Sequence, residues 1–170
     1  RSSDLGVLLH RNKSLRADQT FLTDNWLGGM YGSSGILGTK SGGPIASSWA
    51  VMHHLGDDGY LRLTSSARQS TLTIAAHIES HPKLSLRAFP DSTLVSFGTA
   101  DPDTLDIFAI ADELISYGWY LDRQEPPASI HLTVNAVHEH LVEEFLHDLD
   151  RAIEAVGDVK GTAGAYATTE

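Results

Sequence analysis

Downstream of Pro82 the sequence alternates in a way that few architectures satisfy. Residues 84–89 (Leu-Ser-Leu-Arg-Ala-Phe) and 94–97 (Leu-Val-Ser-Phe) carry apolar side chains at every second position, and Pro90-Asp91-Ser92 between them is turn chemistry. A helix follows over about 105–117, capped by Asp103 and closed by Gly118. Two further strands, 119–123 and 130–134, flank Pro126-Pro127. The last helix, about 139–156, places Val142, Phe145, Leu149, Ala152 and Val156 on one stripe. Strand, strand, helix, strand, strand, helix predicts a small antiparallel sheet with helices on one face, an α+β unit over 82–157. The small, polar tail over 158–170 is expected to be disordered.

Upstream the pattern changes. A helix is predicted from Ile45 to Leu55, with Pro44 at its start and Gly56 at its end. Asp57 or Asp58 caps a second helix running to about Ser80, with Tyr60, Leu63, Ala67, Thr71, Ile74 and Ile78 at helical spacing. Before these, residues 5–9 form a short apolar run expected to be a buried strand, followed by a loop at Arg11-Asn12-Lys13. Arg1-Ser2-Ser3-Asp4 has no initiating Met and no signal-peptide layout, so the expectation is a start inside a longer chain.

Composition excludes several function classes. The absence of cysteine removes disulfide scaffolds and thiol nucleophiles, and fits a cytoplasmic protein. A formal net charge of −10 with scattered Lys and Arg argues against a nucleic-acid partner. No apolar run is long enough to span a bilayer, and no membrane partner is expected. The nine histidines show no helical metal-ligand motif, so no metal site is expected: His53-His54 are adjacent and His138 and His140 are two apart. The acidic side chains of the last helix read as a solvated face, and Arg123 as half of a surface ion pair.

One segment is suited to a ligand. Between Asn25 and Gly43 glycine and serine dominate, yet Trp26 and Tyr31 stand among them. Main-chain N–H groups exposed by glycines, followed by a helix start, can cradle an anion such as phosphate. A tight structural loop explains the same composition equally well. A P-loop does not, because Thr39 separates Gly38 from Lys40. A hydrolase nucleophile elbow also fails, since Gly32-Ser33-Ser34-Gly35 has the wrong spacing.

Trp26-Leu27-Gly28-Gly29-Met30-Tyr31-Gly32-Ser33, continuing through Gly38-Thr39-Lys40-Ser41-Gly42-Gly43, resembles the W-x-G-G-x-Y-x-S-P-T-x-x-G-S-R-x-G-G segment of sphingosine-phosphate lyases and their bacterial relatives. Those enzymes belong to the group II pyridoxal-phosphate-dependent decarboxylase family. The similarity runs on through Met52-His53, Gly56-Asp57-Asp58-Gly59-Tyr60, Asp106-Ile107-Phe108, Gly118-Trp119 and residues 129–134, so it covers most of the chain in order.

The resemblance implies an α/β protein of fold type I, working as a homodimer on a small amine or amino acid. Residues 1–56 would be the C-terminal end of the large cofactor-binding domain, 57–81 a connecting helix, and 82–157 the small C-terminal domain. It implies pyridoxal phosphate as cofactor and a role in carboxylic acid metabolism, as a carboxy-lyase or aldehyde-lyase. Gly32 and Ser33 match the loop that contacts the cofactor phosphate, reaching across from a neighbouring subunit. Tyr31 matches a tyrosine facing the substrate, and Lys40 matches a basic position, with Lys in place of the family's Arg. The lysine that holds the cofactor as a Schiff base would lie upstream, so this chain carries no catalytic residue and is inactive alone. The alternatives are a free-standing binding or dimerisation module, and a pseudo-enzyme that keeps the fold.

Overall fold

The computed structural model describes residues 6–36, 38, 40–157 and 159–162. They divide after Gly56 into two units. In the first, α1 (Lys13–Gln19) is capped by Asn12, whose side chain accepts from the Leu15 N–H at 3.1 Å. Strands β1 (Phe21–Thr23) and β2 (Tyr31–Ser33) pair antiparallel, with Phe21 opposite Ser33, Leu22 opposite Gly32 and Thr23 opposite Tyr31. None of this was legible as helix or hairpin in the sequence.

The buried strand expected at residues 5–9 is not there. Leu5 lies outside the described residues, Gly6–His10 has no regular structure, and Val7, Leu8 and Leu9 are exposed. A strand is defined by its ladder, and among the described residues nothing pairs with this run.

Helix α2 (Gly42–Ser80) passes through Gly56, whose φ of 59° and ψ of −176° are not helical. Two helices therefore meet at Gly56, the glycine expected to end the first of them. Pro44 stands in the first turn, where a missing N–H breaks no helical bond. In the second half Ala67, Ser70, Thr71, Ile74, Ala75 and Ile78 are buried, and the Thr71 hydroxyl is satisfied by the Ala67 carbonyl at 2.8 Å. Tyr60, expected on that face, is exposed.

The second unit, which also takes in the second half of α2, has an α+β arrangement. Strands β3 (Leu84–Leu86), β4 (Leu94–Thr99), β5 (Asp122–Gln124) and β6 (Ser129–Thr133) form an antiparallel sheet in the order β3-β4-β6-β5. Register places Val95 opposite Leu132 and Phe97 opposite Ile130. Because side chains alternate along a strand, this apolar row points one way and the row Ser96, His131, Asp122 the other. The apolar row joins a core with Ile74 and Ile78 of α2, Ile110 and Leu114 of α3 (Ile107–Ser116), and Phe145 and Leu149 of α4 (Val142–Ala155). Burying each such side chain is worth about 1.5–3 kcal/mol before entropy is counted.

Several boundaries differ from expectation. Asp106, not Asp103, caps α3, its carboxylate accepting from the Phe108 N–H at 2.9 Å. Gly118, at φ 98°, closes that helix, as expected. The final helix begins as a 3-10 turn over Ala136–Leu141 before α4.

Part of the tail is held down rather than loose. The Gly161 N–H donates to Asp106 at 3.1 Å and the Thr162 N–H to Asp112 at 2.7 Å. Arg123 ties the arrangement together, donating to Asp112 at 2.5 Å and to the Thr162 carbonyl. At Gly161 a Cβ would collide with the main chain of Phe108 and Ala109, a close approach that glycine permits. The rest of the tail, Asp158 and residues 163–170, lies outside the described residues.

Candidate functional site

Tyr31, Gly32 and Ser33 are consecutive on β2, and Lys40 lies beyond the hairpin, just ahead of α2. The hairpin turn over 24–30 is shaped by glycine. Gly29 has φ 95° and its N–H donates to the Trp26 carbonyl at 3.0 Å. The Trp26 indole rests against the main chain of Gly28, where a Cβ would come within 2.9 Å of Nε1. The same indole meets the Tyr31 ring at a centroid distance of 5.9 Å and an angle of 49°.

Ser33 turns its hydroxyl into the following loop. Its Oγ donates to the Gly35 carbonyl at 2.6 Å and accepts from the Gly35 N–H at 3.3 Å. The Gln19 amide donates to the Ser34 carbonyl at 2.9 Å, so α1 supports this loop, and His10 in turn bonds Gln19 at 2.7 Å. At the start of α2 the Ser41 hydroxyl accepts from the Gly43 N–H at 3.3 Å.

The electrostatic setting suits an anion. No Asp or Glu stands between Asp24 and Asp57, in a chain whose net charge is −10, while Lys40, His53 and His54 fall in that interval. A hydroxyl, an ammonium and a helix start are donors that fit a phosphate group. Tyr31 (41% exposed) and Lys40 are open to solvent, and no residue among the described part of 6–56 is buried.

The second unit has its own features. A concavity of about 240 Å³ is lined by Trp119, Leu121, His131, Val134, His138 and Phe145 among others, and none of Tyr31, Gly32, Ser33 or Lys40 lines it. Asp148 is buried and doubly bonded, to the Trp119 indole N–H at 2.8 Å and to Arg151 at 2.7 Å. His77 and His81, one turn apart, both face Asp150, at 2.7 and 3.9 Å. Burial pushes the His81 pKa down, with Asp150 pulling the other way. No set of three metal-ligating side chains occurs among the described residues. Two contacts had no sequence signal: Trp26 on Tyr31, and Arg123 on the chain's own tail.

Comparison with known proteins places this arrangement. No family model matches the chain. Its fold superposes on a glutamate decarboxylase from Lactobacillus brevis with a TM-score of 0.64 at 19% identity, over 84% of this chain and 35% of that one. It also superposes on the sphingosine-1-phosphate lyase of Burkholderia pseudomallei with a TM-score of 0.76 at 30% identity, over 87% of this chain and 33% of that one. The chain is homologous to the C-terminal region of pyridoxal-phosphate-dependent lyases and decarboxylases of fold type I. Its sequence is similar to sphingosine-1-phosphate lyase of Oryza sativa, 37% identical over 150 residues, and of Arabidopsis thaliana, 36% identical over the same length. A probable L-aspartate decarboxylase of Thermococcus gammatolerans is 28% identical over 148 residues. The chain spans 27% of the length of the two plant relatives and 37% of the archaeal one. Among the described residues no helix is long and apolar enough to cross a membrane.

Proposed function

We propose that this chain is the C-terminal part of a pyridoxal-phosphate-dependent carbon–carbon lyase, either an amino-acid decarboxylase or an aldehyde-lyase acting on a phosphorylated long-chain amine. The observation that carries the reading is the Trp26–Gly43 segment: eighteen residues without a carboxylate, spanning most of the hairpin turn, β2 and the loop before α2, at the site of resemblance to the lyases. When bound, pyridoxal phosphate supplies an electron sink for the carbanion left by bond cleavage.

The residues of this chain have narrower tasks. Ser33 donates its hydroxyl to the cofactor phosphate, exchanging its bond to Gly35 for a charge-assisted one. Gly32 offers its main chain to that anion; a side chain here would meet Leu22 Cδ2 at 2.9 Å. Tyr31 faces the substrate. Lys40 presents a point charge to a substrate anion, without the planar fork of arginine. The holding lysine belongs to the upstream part of the protein, and the 170 residues alone are inactive. Residues 1–56 complete the large domain, 57–81 connect, and 82–157 form the small domain. The working form is a homodimer in which the 31–33 strand serves the neighbouring subunit's cofactor, and its place is the cytoplasm.

The test is a visible absorption spectrum of the full-length protein with added pyridoxal phosphate, before and after borohydride. A yellow band that borohydride abolishes supports the reading and leaves the substrate to be chosen by assay. Folded protein without such a band would discard it in favour of a binding module or pseudo-enzyme.

A further inference from the structure

Trp26 lies outside the residues assigned to cofactor and substrate, and its surroundings give it a task. It is 61% exposed, so it does not serve a core within this chain. Yet its placement is tightly specified. The carbonyl is fixed by the Gly29 N–H at 3.0 Å, in a turn that needs the positive φ of Gly29. The indole lies on a shelf made by Gly28, where any side chain would meet Nε1 at 2.9 Å and Cδ1 at 3.2 Å. The turn's entry is set by the Asn25 N–H donating to the Thr23 hydroxyl at 3.1 Å, and Thr23 is the strand partner of Tyr31. Main-chain pairing thus fixes the Tyr31 backbone, and the indole is the aromatic contact its ring makes.

We infer that Trp26 is a positioning residue for Tyr31: the two glycines hold the indole, and the indole holds the phenol ring in the orientation the substrate meets. This rests on the proposed role of Tyr31. A tyrosine side chain on an exposed strand otherwise samples several χ1 wells, and only one suits a reacting group. An aromatic contact of this kind biases that choice by an amount equal to about a two- to tenfold change in rate.

The experiment uses the full-length, cofactor-loaded protein as wild type, Trp26→Ala, Trp26→Phe, Gly28→Ala, Tyr31→Phe and the Trp26→Ala/Tyr31→Phe double variant. Trp26→Ala is expected to lower kcat about two- to tenfold with KM little changed. Trp26→Phe should restore most of it, and Gly28→Ala should fall between. The double variant should be no slower than Tyr31→Phe alone, because Trp26 acts through Tyr31. Losses that multiply would overturn the inference, and so would a Trp26→Phe variant as slow as Trp26→Ala.

A second readout needs neither cofactor nor turnover. In cofactor-free protein labelled with 5-fluorotryptophan, the resonance missing from Trp26→Phe belongs to Trp26, and Tyr31→Leu should shift it. An unmoved resonance overturns the contact itself. A shifted resonance together with undiminished activity in Tyr31→Phe would show instead that the assigned role of Tyr31 is what fails.

Discussion

At the scale of single residues, the clasp at Asp112 is where charge and structure are most tightly coupled. Burial alone would raise this carboxyl's pKa, but the Thr162 N–H and the Arg123 guanidinium together outweigh it and hold the group below the ordinary carboxylate range. The Arg123 side chain is itself nearly buried, at 10% exposure, so the pair is only partly screened by water. A folded-state value lower than the unfolded one means stability is in place above the ordinary carboxylate range and is lost as pH falls through the folded value. His81, held low chiefly by burial, adds in the same direction: its share is lost as pH falls from its ordinary 6.5 toward the lower folded value. Urea unfolding of this chain from pH 7 downward should therefore show falling stability in two ranges. Asp112→Asn should flatten the more acid range and leave the one near neutrality. If both ranges survive in that variant, the clasp does not contribute as described.

At the scale of elements, Gly56 decides whether α2 is one helix or two. Its φ of 59° with ψ of −176° is a region that a side chain at Cβ strongly disfavours. Gly56→Ala in the full-length protein should cost about 1–3 kcal/mol by denaturant unfolding. Gly157→Ala, at a glycine outside any element with nothing near the added carbon, should stay within about 0.5 kcal/mol. Equal effects would mean that the break is not a requirement of the fold.

The same glycine shows what the sequence makes legible. Gly56 was readable as a stop because two helical patterns met there. Val95, Phe97, Ile130, Phe145 and Leu149 were readable as one core because period-2 and period-3.6 patterns pointed to a single packed face. Val7, Leu8 and Leu9 misled for the converse reason: an apolar run announces burial, but nothing among the described residues buries it. The hairpin around Trp26 and the tail at Gly161 left no periodic trace, since both are set by glycine dihedrals and single hydrogen bonds. Tyr31, Gly32, Ser33 and Lys40 could be picked out by resemblance and by composition. The indole behind Tyr31 could not, because nothing in a linear spacing of five says that two rings touch.

At the scale of the molecule, the two units are held by different means. Every buried apolar side chain among the described residues lies between Ala67 and Ile153, while Trp26, Leu27, Met30, Ile36 and Trp49 of the first unit are exposed. Apolar surface of that extent, on a unit with no buried residue among those described, calls for a cover. If the proposed function is right, the upstream part of the protein and a second subunit supply it. Hydrogen exchange then separates the units. In the isolated 170-residue chain at low concentration, amides of β1, β2 and the first half of α2 should exchange close to the unfolded rate. Those of β4, β6, α3 and α4 should be protected by the core they share. In the full-length protein both sets should be protected, and a hydrophobic dye that binds the isolated chain should no longer bind. Protection of β1 and β2 in the isolated chain, unchanged on tenfold dilution, would show that the first unit stands alone. The case for an upstream cover would then fall, while the fold of the second unit would stand on its own core.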